Sequence, residues 1–120
     1  MAVERILIVD DSDTERALIS SLLQKNGFQP ITASNGEEAI NTAKEQLPDL
    51  ILMDIVMPEM NGFEATRAIS REPSTSEIPI VLVSSKGQQT DKVWGMRQGA
   101  SDYLVKPLTE KSLIEKLSSF

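Results

Sequence analysis

Apolar residues cluster along this chain in short unbroken runs separated by longer polar segments with helical spacing. Leu50-Ile-Leu-Met53 is wholly apolar, Ile6-Leu-Ile-Val9 follows Arg5, and Pro79-Ile-Val-Leu-Val83 and Tyr103-Leu-Val105 repeat the pattern. A run without alternation is what a strand covered on both faces requires, as in a parallel sheet. Phe28 to Ala33 reads as one more short strand. Between the strands, Ser12 with Glu15 is a capping-box pattern, and Ala17, Leu18, Ser21, Leu22 and Lys25 keep helical spacing up to the C-cap candidate Asn26-Gly27. A first helix is expected over about residues 13–26. Asn35 with Glu38 opens a second helix through Ala39, Ile40 and Ala43 that ends before Pro48, with Glu37, Glu38 and Glu45 on its solvated face. Phe63, Ala65, Thr66, Ala68 and Ile69 fit a third helix, followed by a polar loop from Glu72 to Glu77. After Lys86-Gly87, the segment from Gln88 to Gln98 predicts a weakly amphipathic fourth helix closed by Gly99, with Trp94 expected to pack. Leu108 to Phe120 predicts a final helix with Leu113, Ile114 and Leu117 inward.

Five strands alternating with five helices predict an α/β fold, a parallel sheet with helices on both faces joined by right-handed crossovers. The 120 residues, 40% of them hydrophobic, suit one domain over 1–120 with a single core. The parallel arrangement has a chemical consequence. The runs end in Asp10-Asp11, Asp54, Ser84 and Lys106, so these groups should converge on the carboxyl edge of the sheet, where open α/β sheets place their ligands. Met57-Pro58 and Asn61-Gly62 then turn the chain directly after Asp54.

Composition narrows the chemistry. The formal charge of -6, without a Lys/Arg cluster, argues against a nucleic-acid surface. With no Cys and no His, thiolate and imidazole chemistry are excluded, and carboxylates must carry the reaction. No leader or membrane-spanning run is evident, so a cytoplasmic location without membrane insertion is expected. Two like charges about 4 Å apart repel by roughly 4 kcal/mol at an effective dielectric of 20, so clustered carboxylates call for a cation. Oxygen-only donors favour Mg²⁺, with Mn²⁺ as the other option. With a metal and a lysine neutralising phosphate oxygens, Asp54 could attack a phosphoryl donor and become an acyl phosphate, and Ser84 could bond the new group.

At these residues the sequence resembles the response-regulator receiver family, CheY-like, over essentially its whole length. The motif is carried by Asp10-Asp11, by Asp54 with Met57-Pro-Glu-Met-Asn-Gly62, by Ser84 and by Lys106-Pro107. The resemblance implies a flavodoxin-like (βα)5 three-layer sandwich with strand order 2-1-3-4-5. It also implies a stand-alone receiver without an output domain. By the same likeness, Asp54 is the phospho-acceptor, Asp10, Asp11, Asp54 and the Val56 carbonyl form the metal site, and Lys106 is the phosphate partner. Ser84 and Tyr103 are then the switch residues, and the Lys106-Pro107 bond is cis. Ser85 stands where the family often has Ala, and Val56 is apolar where some members are polar, which implies a long-lived phospho-Asp54. Lys86 to Ala100 resembles stand-alone receivers of type IV pilus, twitching or phototaxis chemosensory systems. The implied role is a switch that takes a phosphoryl group from a histidine kinase and signals by protein binding through its fourth helix, fifth strand and fifth helix, as a monomer or weak dimer. A phosphate sink, a phosphorylation-independent adaptor and a metal-dependent hydrolase are the competing readings.

Overall fold

The computed structural model describes residues 3–85 and 89–120 and, within the fourth helix, the side chains from Asp91 onward. The elements run β1 (Arg5–Val9), α1 (Asp13–Lys25), β2 (Gln29–Ala33), α2 (Gly36–Gln46), β3 (Leu50–Asp54), α3 (Gly62–Arg71), β4 (Ile80–Ser84), α4 (Gln89–Arg97), β5 (Asp102–Val105) and α5 (Glu110–Leu117). All neighbouring strands pair in parallel, in the order β2-β1-β3-β4-β5. The unbroken apolar runs are explained by cover on both faces: every residue of β3 and β4 is buried. Leu7, Val9, Ile51, Met53 and Leu82 face one layer with Ala39, Ala43, Ala65 and Ile69. Ile6, Ile8, Leu50, Leu52, Val81 and Val83 face the other with Ile19, Leu23, Leu113 and Leu117.

Pro30 sits in β2, the outer strand, opposite Ile6. Gln29 donates its N–H to the Glu4 carbonyl, so the alternation of the strand turns position 30 outward, where a missing donor breaks no ladder bond.

The helix starts follow the capping signals. The Ser12 side chain accepts from the Glu15 N–H and Asn35 from the Glu38 N–H. Asn61 and Glu64 form a reciprocal capping box, as do Thr109 and Ser112, neither of which the apolar spacing revealed. Two expectations about the first and last helices need correction. In α1 the inward residues are Ile19 and Leu23, one step round from the expected stripe, while Ala17 and Leu18 are exposed. The segment offers two apolar i, i+4 pairs, and the strand entry angle, invisible locally, selects one. The last helix spans only Glu110–Leu117, because Thr109 caps it and the chain beyond Leu117 carries polar Ser118 and Ser119.

Lys86-Gly87 and Gln88, the first residue of the expected fourth helix, lie outside the described residues. In α4 the buried described residue is Gly95, where an added Cβ would lie 2.2 Å from Leu82 Cδ1. Trp94 is therefore not a packing residue: it is 50% exposed, and Val93 and Met96 also face outward.

Candidate functional site

Strand register builds the site. Val9 pairs with Met53, so Asp10 and Asp54 leave adjacent parallel strands at one level, and Asp54 lies opposite Val83, one residue before Ser84. Lys106 follows β5 and donates its backbone N–H to the Ser84 carbonyl at 2.7 Å, which brings the last strand's exit to the same edge. The Lys106-Pro107 peptide bond is cis.

Carboxylate oxygens of Asp10, Asp11 and Asp54 come within 4.8 Å of one another. The Lys106 ammonium lies 3.1 Å from Asp10 Oδ2 and 3.2 Å from Asp54 Oδ1. Asp10 and Asp54 are buried, whereas Asp11 is exposed. Burial raises the Asp54 pKa to about 6, and the Asp10 and Asp11 charges push the same way while Lys106 opposes them. Burial works against the Lys106 charge, but its hydrogen bond to Asp10 and the charges of Asp54 and Asp10 outweigh this and hold its pKa above the ordinary lysine value.

Three carboxylates against one ammonium leave two negative charges at the site when all are ionised, a charge that a divalent cation would match. The donors are hard oxygens within reach of one another, so the residues present fit Mg²⁺ or Mn²⁺. Asp11 is the most open of the three and has no hydrogen bond or ion pair among the described residues.

Ser84 is buried at the end of β4, between the strands that carry Asp54 and Lys106. Tyr103 is 9% exposed and packs with the core on the α4 side, opposite Leu82, so it is more deeply buried than an ordinary half-exposed strand aromatic. Val56 lies two residues past Asp54, with its side chain 66% exposed. Ser85 is exposed as well.

The turn after Asp54 does more than reverse the chain. The Gly62 N–H donates to the Ile55 carbonyl at 2.8 Å, and a Cβ on Gly62 would sit 2.2 Å from the Asp54 carbonyl oxygen. The sequence marks Asn61-Gly62 as a turn, but this close approach is tertiary and leaves no local signal. Glu59, in the same loop, adopts φ +67, a conformation that disfavours side chains.

A family model for the response regulator receiver domain matches residues 6–118. Protein PilH of Pseudomonas aeruginosa is 50% identical over 115 residues, covering 96% of this chain and 95% of that one. Transcriptional regulators that also match are longer, and the chain spans about 50% of their length. Among solved structures, the chemotaxis protein CheY4 of Vibrio cholerae superposes with a TM-score of 0.93 at 33% identity, covering 98% of each chain. The receiver domain of a sensor histidine kinase, PA1611 of Pseudomonas aeruginosa, with a magnesium ion coordinated in its active-site cleft, gives a TM-score of 0.89 at 30% identity over 98% of this chain and 97% of that one. The motif, the strand order and these similarities agree, and the chain belongs to the response regulator receiver family.

Proposed function

We propose that this receiver is a phosphorylation-activated switch whose acceptor is Asp54 and whose donor is a histidine kinase. The observation that supports it most is the Lys106 ammonium held 3.2 Å from Asp54 beside a three-carboxylate cluster at a buried strand end. In the transfer, an Asp54 carboxylate oxygen forms a bond to phosphorus as the P–N bond of the partner's phosphohistidine breaks. The bonding electrons leave with the imidazole nitrogen, which takes up a proton. Lys106 is placed to neutralise phosphoryl oxygens, and burial of Asp54 keeps water away from the attacking oxygen. A Mg²⁺ or Mn²⁺ held by Asp10, Asp11, Asp54 and the Val56 carbonyl would supply further charge neutralisation when bound. The magnesium in the similar PA1611 domain supports that assignment.

The added charge gives Lys106 and Ser84 a new partner in place of the present contacts, and this biases a two-state equilibrium that includes Tyr103 and α4. The output is binding of another protein on the face of α4, β5 and α5, where Val93, Trp94, Met96 and Val105 are exposed. The protein acts in the cytoplasm, in keeping with the lack of any helix long and apolar enough to cross a membrane among the described residues. Similarity to PilH supports a place in a pilus-motility chemosensory pathway. Asp54→Asn is expected to abolish labelling by a phosphodonor in the presence of Mg²⁺. Labelling of that variant at the wild-type rate would overturn the assignment.

A further inference from the structure

The acid cluster poses a mechanical problem that the proposed chemistry leaves open. Asp10 and Asp11 are consecutive like charges beside Asp54, in a turn of three residues between β1 and α1, and their repulsion acts to open that turn. Asp10 is secured at every polar group. Its N–H donates to the Ala33 carbonyl at 3.2 Å, its Oδ1 accepts the Ser12 N–H at 2.9 Å, and its Oδ2 accepts Lys106 at 3.1 Å. The Asp11 carboxylate is exposed and makes no such bond among the described residues, so there its position comes from the backbone that carries it.

That backbone is held by Arg16. The Arg16 guanidinium donates from Nη1 to the Asp10 carbonyl oxygen at 2.6 Å, and its Nη2 pairs with Asp13. Arg16 is itself built into the first turn of α1, where its N–H donates to the Ser12 carbonyl at 3.0 Å, and its side chain is only 18% exposed. The peptide unit from Asp10 to Asp11 is planar, so holding the Asp10 carbonyl oxygen also fixes the direction of the Asp11 N–H and the place of the Asp11 Cα. A charge-assisted bond to a carbonyl is stronger than a neutral one, and a guanidinium holds its five N–H donors in fixed geometry, with Nη1 here turned to a carbonyl and Nη2 to a carboxylate.

We propose that Arg16 is a positioning residue for the cation site: without touching the cation, it sets the Asp11 carboxylate against Asp10 and Asp54. The inference rests on the reading of the cluster as a divalent cation site. Partners that orient ligands in this indirect way are worth about 10- to 100-fold in metal affinity. Calorimetric titration with Mg²⁺, using the whole chain, tests it in wild type, Arg16→Gln, Arg16→Lys and Asp13→Asn. Wild type binds in this reading, and absence of binding there would sink the cation site itself. Arg16→Gln is expected to raise Kd about tenfold or more, equivalent to about 1.4 kcal/mol for each tenfold. Arg16→Lys, which keeps a cation able to reach the carbonyl, recovers most of that loss. Asp13→Asn removes the outer pair but not the carbonyl bond and stays within about threefold of wild type. In the metal-free protein, the Ser12 amide, bonded to Asp10 Oδ1, exchanges its hydrogen faster in Arg16→Gln than in wild type at equal global stability, a readout that does not depend on the metal. An Arg16→Gln variant that binds Mg²⁺ with the wild-type Kd, or an Asp13→Asn variant as weak as Arg16→Gln, would overturn the positioning role.

Discussion

Asp49 illustrates how single side chains hold this fold in place without being buried. Its Oδ2 accepts the N–H groups of Glu4 and Arg5 at 3.0 and 2.9 Å, tying the start of β1 to the start of β3. These bonds favour the ionised form, so the Asp49 pKa lies below the ordinary value of 3.8. A depressed carboxylate contributes stability that is fully present above its unfolded pKa and disappears as pH falls through its folded pKa. Asp49→Asn should therefore lower the melting temperature near neutral pH, and the gap to wild type should narrow below about pH 3.8. A gap unchanged between pH 6 and pH 3 would contradict this. Leu47 is the opposite case, a residue whose chemistry conflicts with its backbone. It closes α2 at φ +47 with its side chain 51% exposed, a position that favours glycine or asparagine. Leu47→Gly is expected to stabilise the fold by about 1 kcal/mol, raising the melting temperature by about 4 °C in a thermal scan.

At the scale of elements, two glycines separate conformational need from close approach. Gly27 follows the α1 cap at φ +86 with open space around its Cα, so Gly27→Ala should cost about 1 kcal/mol from backbone conformation alone. Gly62 starts α3 against the backbone of Asp54 and Ile55, and nothing there can yield without moving the strand end. Gly62→Ala should cost about 2 kcal/mol or more. Denaturant unfolding of the two variants measures the difference, and equal losses would show that the contact at Gly62 is relieved cheaply. The sequence made the strands legible because β3 and β4 are covered on both faces and tolerate no polar residue before Asp54 or Ser84. Helix starts were legible at Ser12 and Asn35, whose caps are local bonds. The face that α1 buries was not, since Leu18 and Leu22 alternate with Ile19 and Leu23 and only the docking angle decides between them. Trp94 also misled, because a large apolar side chain on a helix is ordinarily inside, and here α4 meets β4 through Gly95.

For the whole molecule, the parallel sheet turns distant acids into one charge cluster. That step was legible from the ends of the apolar runs, since Asp10, Asp54 and Lys106 each stand directly after one or close it. The roles of Arg16 and Gly62 were not legible, because both act through main-chain atoms whose positions exist only after folding. If a divalent cation binds only the folded state, Mg²⁺ at ten times its dissociation constant should stabilise the protein by about 1.4 kcal/mol, or about 5 °C in melting temperature. A melting temperature unmoved by saturating Mg²⁺ would argue against the site. Pro30 carries a different consequence for the molecule among its neighbours. With position 30 turned outward and lacking an N–H, the outer rim of β2 offers a foreign strand only the Thr32 donor over residues 29–33. At high concentration, this end of the sheet is a poor template for edge-to-edge stacking, and one route to aggregation is blocked by a single imino acid.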